Sequence, residues 1–252
     1  MTNAKTLLVK VPAVTAFFWI IKVVSTTVGE TLGDTLNDTL GLGLGNSYTI
    51  MAGVFIVLFG IQWSLKKYVP FLYWPTIIAV STLGTLLSDS LHDDGHWQNW
   101  QIALLFGAIL AIVFSLWWLQ ERTLSIKTIN TRKREFFYWL AIVATFGMGT
   151  AGGDIFLDDL GVPLWESSLI FAGVITLIAL LWRGKKLGPV FSFWAIYILT
   201  RPLGASLGDG LSLSKADGGL GFGPALITWI ALGITAVLTI YLTISKVDVI
   251  DE

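Results

Sequence analysis

The 252 residues are 54% apolar and only 13% charged, where soluble domains carry about 25% charged residues. A formal net charge of −1 gives no reason to expect nucleic acid or an acidic partner, and the lack of cysteine excludes disulfides and thiolate metal sites. The composition is that of an all-α integral membrane protein, in which each crossing helix needs about 20 apolar residues.

The first apolar stretch starts near Val11. Lys10 and Pro12 precede it and no small-residue cleavage site follows, so it is expected to be a span and not a removable signal. It carries Lys22 and ends in the string GETLGD, Gly29 to Asp34. The glycine-rich GLGLGN from Gly41, expected as a close-packed turn, leads into a second stretch at about Tyr48 to Leu65. The third begins near Pro70 and ends in GTLLSD, Gly84 to Asp89; the polar loop HDDGH with His92 and His96 follows, then a fourth stretch from Ile102 to Leu119. The polar segment 121–135 is expected as a solvated cytoplasmic linker between residues 1–120 and 136–252. The fifth stretch begins near Phe136 and ends in GTAGGD, Gly149 to Asp154; the sixth, Ser168 to Trp182, is the shortest. The seventh begins near Pro189, contains Arg201 and ends in GASLGD, Gly204 to Asp209. GGLGFG from Gly218 introduces the eighth, Pro224 to Ile244.

These stretches are four copies of one unit. Trp19 and Asp34, Trp74 and Asp89, Trp139 and Asp154, and Trp194 and Asp209 are each 15 residues apart. The aspartates follow one another at 55, 65 and 55 residues, a unit of about 55 doubled twice, and such periods mark a repeated architecture. Each unit supplies two spans, so all four copies share one orientation: eight helices as four parallel two-helix repeats, a 2 × 2 duplication. Lys66 and Lys67, the cluster from Arg122 to Arg134, and Arg183 to Lys186 all fall between units. The positive-inside rule places them and both termini in the cytoplasm, with the aspartates toward the outside.

Within each motif, Gly29 and Gly33, Gly84 and Ser88, Gly149 and Gly153, and Gly204 and Gly208 put small residues four apart on one helix face, where backbones approach closely. Packing alone does not require an aspartate after each pair. Carboxylates at membrane depth are costly and face polar interiors, so Asp34, Asp89, Asp154 and Asp209 are expected to share a site. Asp38, Asp93 and Asp158 follow the first three by four residues, with Leu213 in the fourth copy. On a continued helix each pair stacks on one face, and paired carboxylates suit a hard divalent cation. Glu30 stands inside the first motif, Lys22 lies mid-span with a reach to the inner interface, and Arg201 lies eight residues before Asp209. Arg201 is expected to pair with Glu30 or Asp34, and with Lys22 to act as a gate.

The strings KVPAVTAFFWIIKVVSTTVGETLGD and RPLGASLGDGLS, with GGLGFG, resemble a widespread bacterial family known only as uncharacterised membrane-anchored proteins. More loosely, Glu30, Gly33 and Asp34 are similar to the Glu-x-Gly-Asp motif of calcium/manganese–proton exchangers, one residue too long and in a single copy. The expected activity is transport of a small cation, manganese before calcium, exported by proton exchange, with the divalent ion as substrate and no cofactor. A cation channel and a non-transporting scaffold are the alternatives; an intramembrane aspartyl protease needs two catalytic aspartates, not four equivalent ones, and no enzyme is expected. The expected partners are the lipid bilayer and the cation, with a second copy of the chain as a further candidate and no nucleic acid.

Overall fold

The computed structural model describes residues 9–249, and all of its regular structure is helical. Eight long α-helices follow in order: α1 (Ala16–Asp34), α2 (Leu44–Ser64), α3 (Pro70–Asp89), α4 (Asn99–Glu121), α5 (Arg132–Asp154), α6 (Leu164–Arg183), α7 (Pro189–Ser212) and α8 (Pro224–Ser245). Seven of them, α2 to α8, are long and apolar enough to cross a membrane. The eighth, α1, falls short of that measure and carries Lys22, Glu30 and Asp34 within 19 residues.

Local chemistry sets the boundaries. α3 and α7 open on Pro70 and Pro189, which need no amide partner at that position. α1 starts later than expected, at Ala16, because Thr15 caps it by accepting the Phe18 amide at 3.3 Å. α5 starts earlier, at Arg132, capped by Thr131. α6 begins at Leu164 and spans 20 residues, the same as α3, so the sixth helix is not the truncated one. The glycine-rich strings also differ from expectation. Gly41, Gly43, Gly221 and Gly223 have φ between +64° and +81° with open space around them, so they serve backbone conformation rather than close packing.

α1, α3, α5 and α7 form a closed ring: α1 packs on α3, α3 on α5, α5 on α7 and α7 on α1. Each remaining helix lies outside, against the ring helix of the following unit: α2 on α3, α4 on α5, α6 on α7, and α8 back on α1. Burial separates the two layers, at 56–72% of the apolar stretch in α3, α5 and α7 against 11–33% in the outer helices. The outer helices turn Val57, Leu104, Leu169 and Trp229 away from the protein. Helices apolar all round belong in a large core or a membrane.

An aromatic belt closes one end of the ring, and it is cyclic in the same sense. Phe18 meets Trp74 at 5.7 Å, Tyr73 meets Trp139 at 5.9 Å, Tyr138 meets Trp194 at 6.2 Å, and Phe193 returns to Trp19 at 5.7 Å. The residue before the tryptophan in each unit thus touches the tryptophan of the next. Beyond this belt the strap Val9–Ala13 ties the connections together. Lys10 donates its amide to Ile129 at 3.1 Å, Ala13 donates to Asp248 at 2.7 Å, and Tyr68 donates its amide to Val9 at 3.3 Å. The Lys10 ammonium pairs with Glu135 at 2.5 Å, both 1% exposed, and the Tyr68 hydroxyl donates to Asp248 at 2.5 Å. The segment 121–135 is therefore not simply solvated. Ile126 and Ile129 are buried in the core beneath the strap, and Leu124 accepts the Trp194 indole N–H at 3.0 Å.

Candidate functional site

Positions four apart on the ring helices form successive levels above the aromatic belt. Three residues past each tryptophan stand Lys22, Ile77, Ile142 and Tyr197; then Thr26, Ser81, Phe146 and Arg201; then Glu30, Thr85, Thr150 and Ala205; then the four motif aspartates. All are buried except Glu30, which is 13% exposed, and the aspartates, which are partly exposed.

The motif glycines create the close approach, and they do so at the second level. A Cβ on Gly29 would fall 2.6 Å from the Ser81 Cβ, on Gly84 2.8 Å from the Phe146 Cβ, on Gly149 2.7 Å from the Arg201 Cβ, and on Gly204 2.6 Å from the Thr26 Cβ. Each unit's first glycine receives the equivalent residue of the next unit, so the ring closes only because all four are glycine. The second small position is looser. A Cβ on Gly33 would meet Thr85 at 3.5 Å, an ordinary contact, while Gly153 and Gly208 face Pro202 and Thr31 at 3.2 Å.

This packing sets Arg201, 1% exposed, beneath the third level. Its Nη2 donates to Glu30 Oε2 and to Thr85 Oγ1, both at 2.5 Å, so the expected ion pair is present and is formed with Glu30. Thr85 adds a weaker bond to Glu30 at 3.4 Å. Arg201 Nε and Nη1 have no hydrogen-bond partner. Two hydroxyls on α1 tie the pair's helices together: Thr26 donates to Thr200 O and Thr27 to Gly204 O, each at 3.0 Å. Thr82, Thr145 and Thr150 bond carbonyls of their own helices instead.

Lys22 does not reach an interface. It is 1% exposed, and its Nζ sits 4.1 Å from the Phe146 ring centroid and 4.3 Å from that of Tyr197 with no hydrogen-bond partner. α1 is packed against α3, α7 and α8, so a side chain on its inner face has no path outward along the helix.

The four aspartates end this stack. Glu30 acts on the electrostatics of all four, and Asp89 and Asp209 each lie in the field of both Asp34 and Asp154. They share an electrostatic environment, yet among the described residues no three acidic or histidine side chains come close enough to hold a metal ion. The set Asp34, Asp89, Asp154, Asp209, Glu30, Asp38, Asp93 and Asp158 is thus not a preformed metal centre. Asp38, Asp93 and Asp158 are exposed and lie in π-helical turns, Thr35–Thr39, Ser90–Asp94 and Ile155–Asp159. Each turn widens the helix directly after the motif, with amides donating five residues back, from Leu40 to Thr35 at 2.9 Å, Gly95 to Ser90 at 3.0 Å and Leu160 to Ile155 at 2.9 Å. In the fourth unit α7 stays α-helical to Ser212 and leaves through extended Leu213. π turns of this kind concentrate at functional sites. The sequence signal was the acid four residues on, present in the three units that widen and absent from the one that does not. His92 is engaged locally, its Nδ1 2.9 Å from the Trp97 carbonyl.

A family model described as Repeat of Unknown Function (DUF347) matches residues 17–68, 72–123, 137–186 and 192–248, one copy for each ring helix and the outer helix after it. This agrees with the resemblance to an uncharacterised family and lends no support to the exchanger analogy. No curated protein and no solved structure matches the chain.

Proposed function

Because the chain belongs to the family built from the DUF347 repeat, we propose that its four copies form a parallel 2 × 2 bundle of eight spans in a bacterial inner membrane that transports a small cation. Both termini and the Lys10–Glu135 end face the cytoplasm, and the aspartates face outward. A divalent metal is the substrate class, manganese first and calcium second, exported in exchange for protons.

One observation carries this reading: a buried arginine is held by a single glutamate directly beneath four carboxylates at equivalent positions of four repeats. Ionisable groups inside a span are rare and mark ion pathways. Arg201 occupies Glu30 as a built-in cation, and a substrate cation entering among the aspartates competes with it for that carboxylate. Phe146 and Tyr197 fill the ring below, which favours a carrier that changes conformation over a channel with a standing pore.

Asp34→Asn and Asp154→Asn keep shape and remove one charge each. In cells lacking the native gene, cell manganese content and growth on excess manganese report export, with membrane abundance measured alongside. Each variant should cut export by about tenfold or more, since hard-cation affinity varies over decades with ligand charge. Normal abundance with unchanged transport of every tested cation would reduce the motif to packing.

A further inference from the structure

We infer that Thr85 is the positioning residue that holds Arg201 when a substrate cation takes Glu30, an inference that rests on the cation-transport reading above. The ring closes in the order α1, α3, α5, α7, so α7 and α3 face each other across it. Arg201 on α7 nevertheless reaches α3. Its Nη2 donates to Thr85 Oγ1 and to Glu30 Oε2, both at 2.5 Å. The guanidinium therefore lies across the ring, with one N–H on α1 and the other on α3, and Nη2 has no further hydrogen to give.

The equivalent positions of the other units do not serve this purpose. Thr150 on α5 donates to Phe146 O of its own helix at 3.0 Å, and Ala205 on α7 has no hydroxyl. Thr85 is held less tightly by its own backbone. Ser81 O lies 3.3 Å away and Glu30 Oε2 3.4 Å, so its hydrogen has two long acceptors while its oxygen receives Arg201. Its methyl packs against α1, where a Cβ on Gly33 would come 3.5 Å from Thr85 Cγ2. A branched side chain is stiff about its first torsion, so this contact keeps the hydroxyl turned toward the arginine. Arg201 Nε and Nη1 have no hydrogen-bond partner. Once Glu30 is taken, Thr85 is the one partner left to the guanidinium among the described residues.

The consequence differs between the two states. While Glu30 neutralises the guanidinium, the Thr85 bond is made to an ion pair. When a cation occupies the carboxylate, the full charge falls on a single hydroxyl oxygen, and hydrogen bonds to an uncompensated charge are the stronger ones. Thr85 thus stabilises the displaced state more than the resting one. The concentration at which a cation takes Glu30 depends on it, and the guanidinium stays in place to recover Glu30 when the cation leaves.

The test uses the full chain purified into liposomes, with manganese flux followed by an entrapped metal-sensitive dye over a range of manganese concentrations. Thr85→Val keeps the branched shape and removes the hydroxyl. It should raise the half-saturating concentration about tenfold, the scale of a hydrogen bond to a charged group. Thr85→Ser, which restores the hydroxyl, should return it to the wild-type value. If Thr85→Val does not assemble, Thr85→Ala is measured in its place with the same expectation. A lower maximal rate at an unchanged half-saturating concentration would leave Thr85 a structural role only and overturn the inference. So would a half-saturating concentration that falls, or one that Thr85→Ser does not restore, and in each of these cases transport itself stands. A wild type that moves neither manganese nor calcium removes the transport reading and this inference with it.

Discussion

A guanidinium in the middle of a helix bundle is costly, and the surroundings of Arg201 compensate it only in part. Arg201 has one charged partner and one hydroxyl, both reached through the same nitrogen, while its other two nitrogens find none. Removing one member of such a pair leaves an uncompensated charge, at a cost of about 3–5 kcal/mol, whereas replacing both by apolar groups is often neutral. Arg201→Met and Glu30→Met should therefore each lower the unfolding midpoint in detergent, and the double variant should recover most of the loss. Equal and additive losses would show that the two residues act independently. If the pair is a gate, the recovered double variant should still fail to transport, which separates its contribution to stability from its role in function.

At the scale of elements, the strap Val9–Ala13 and the connection after α8 form a clasp whose strength depends on pH. Burial pushes the Asp248 carboxyl above its ordinary value, partly offset by the hydrogen bond from Tyr68, and burial also raises the Tyr68 hydroxyl. A carboxyl raised in the folded state binds its proton more tightly there than in the unfolded chain. Its contribution to stability is complete below the ordinary aspartate value of about 4 and is lost as pH rises through the higher folded value. Asp248→Asn retains an acceptor for Tyr68 and cannot ionise. Thermal unfolding followed from pH 4 upward should show the wild type losing stability over that window and the variant losing less. A parallel decline in both would assign the pH dependence to other groups. The opposite end of the ring is built differently, with three π turns and one plain helix exit, so the four units are equivalent up to the aspartate and diverge after it.

For the whole molecule, the organising fact is cyclic packing. The aromatic belt and the glycine approach each run from unit to unit and close between the fourth and the first, and α8 completes the outer layer by returning to α1. Each ring helix is covered chiefly by the outer helix of the unit before it. The proposed orientation is tested with reporter tags. Tags at the N-terminus, at the C-terminus and beside Lys133 should all report the cytoplasm, and tags beside Asp94 and Glu166 the exterior. An external signal at Lys133 would put the aspartates on the cytoplasmic side and reverse the direction of transport.

Much of this was legible in the residues alone. Helix number, two helices per unit and the four-copy register follow from apolar length and the Trp-to-Asp spacing, because both are local properties of the chain. That Arg201 would pair with Glu30 or Asp34 was legible because a buried guanidinium has few acceptors to choose from, and packing chose Glu30. What tertiary packing decided were matters of direction and neighbour. Lys22 and Arg201 are both cations in mid-helix, and only the ring tells that one meets a carboxylate and the other two aromatic faces. The second acidic layer follows the motif by four residues, and the structure sets it in π turns with Asp38, Asp93 and Asp158 exposed. A spacing of four residues is a local property of the helix, whereas the exposure of those side chains and the change to five-residue hydrogen bonding depend on what surrounds the turn, which only the tertiary structure decides.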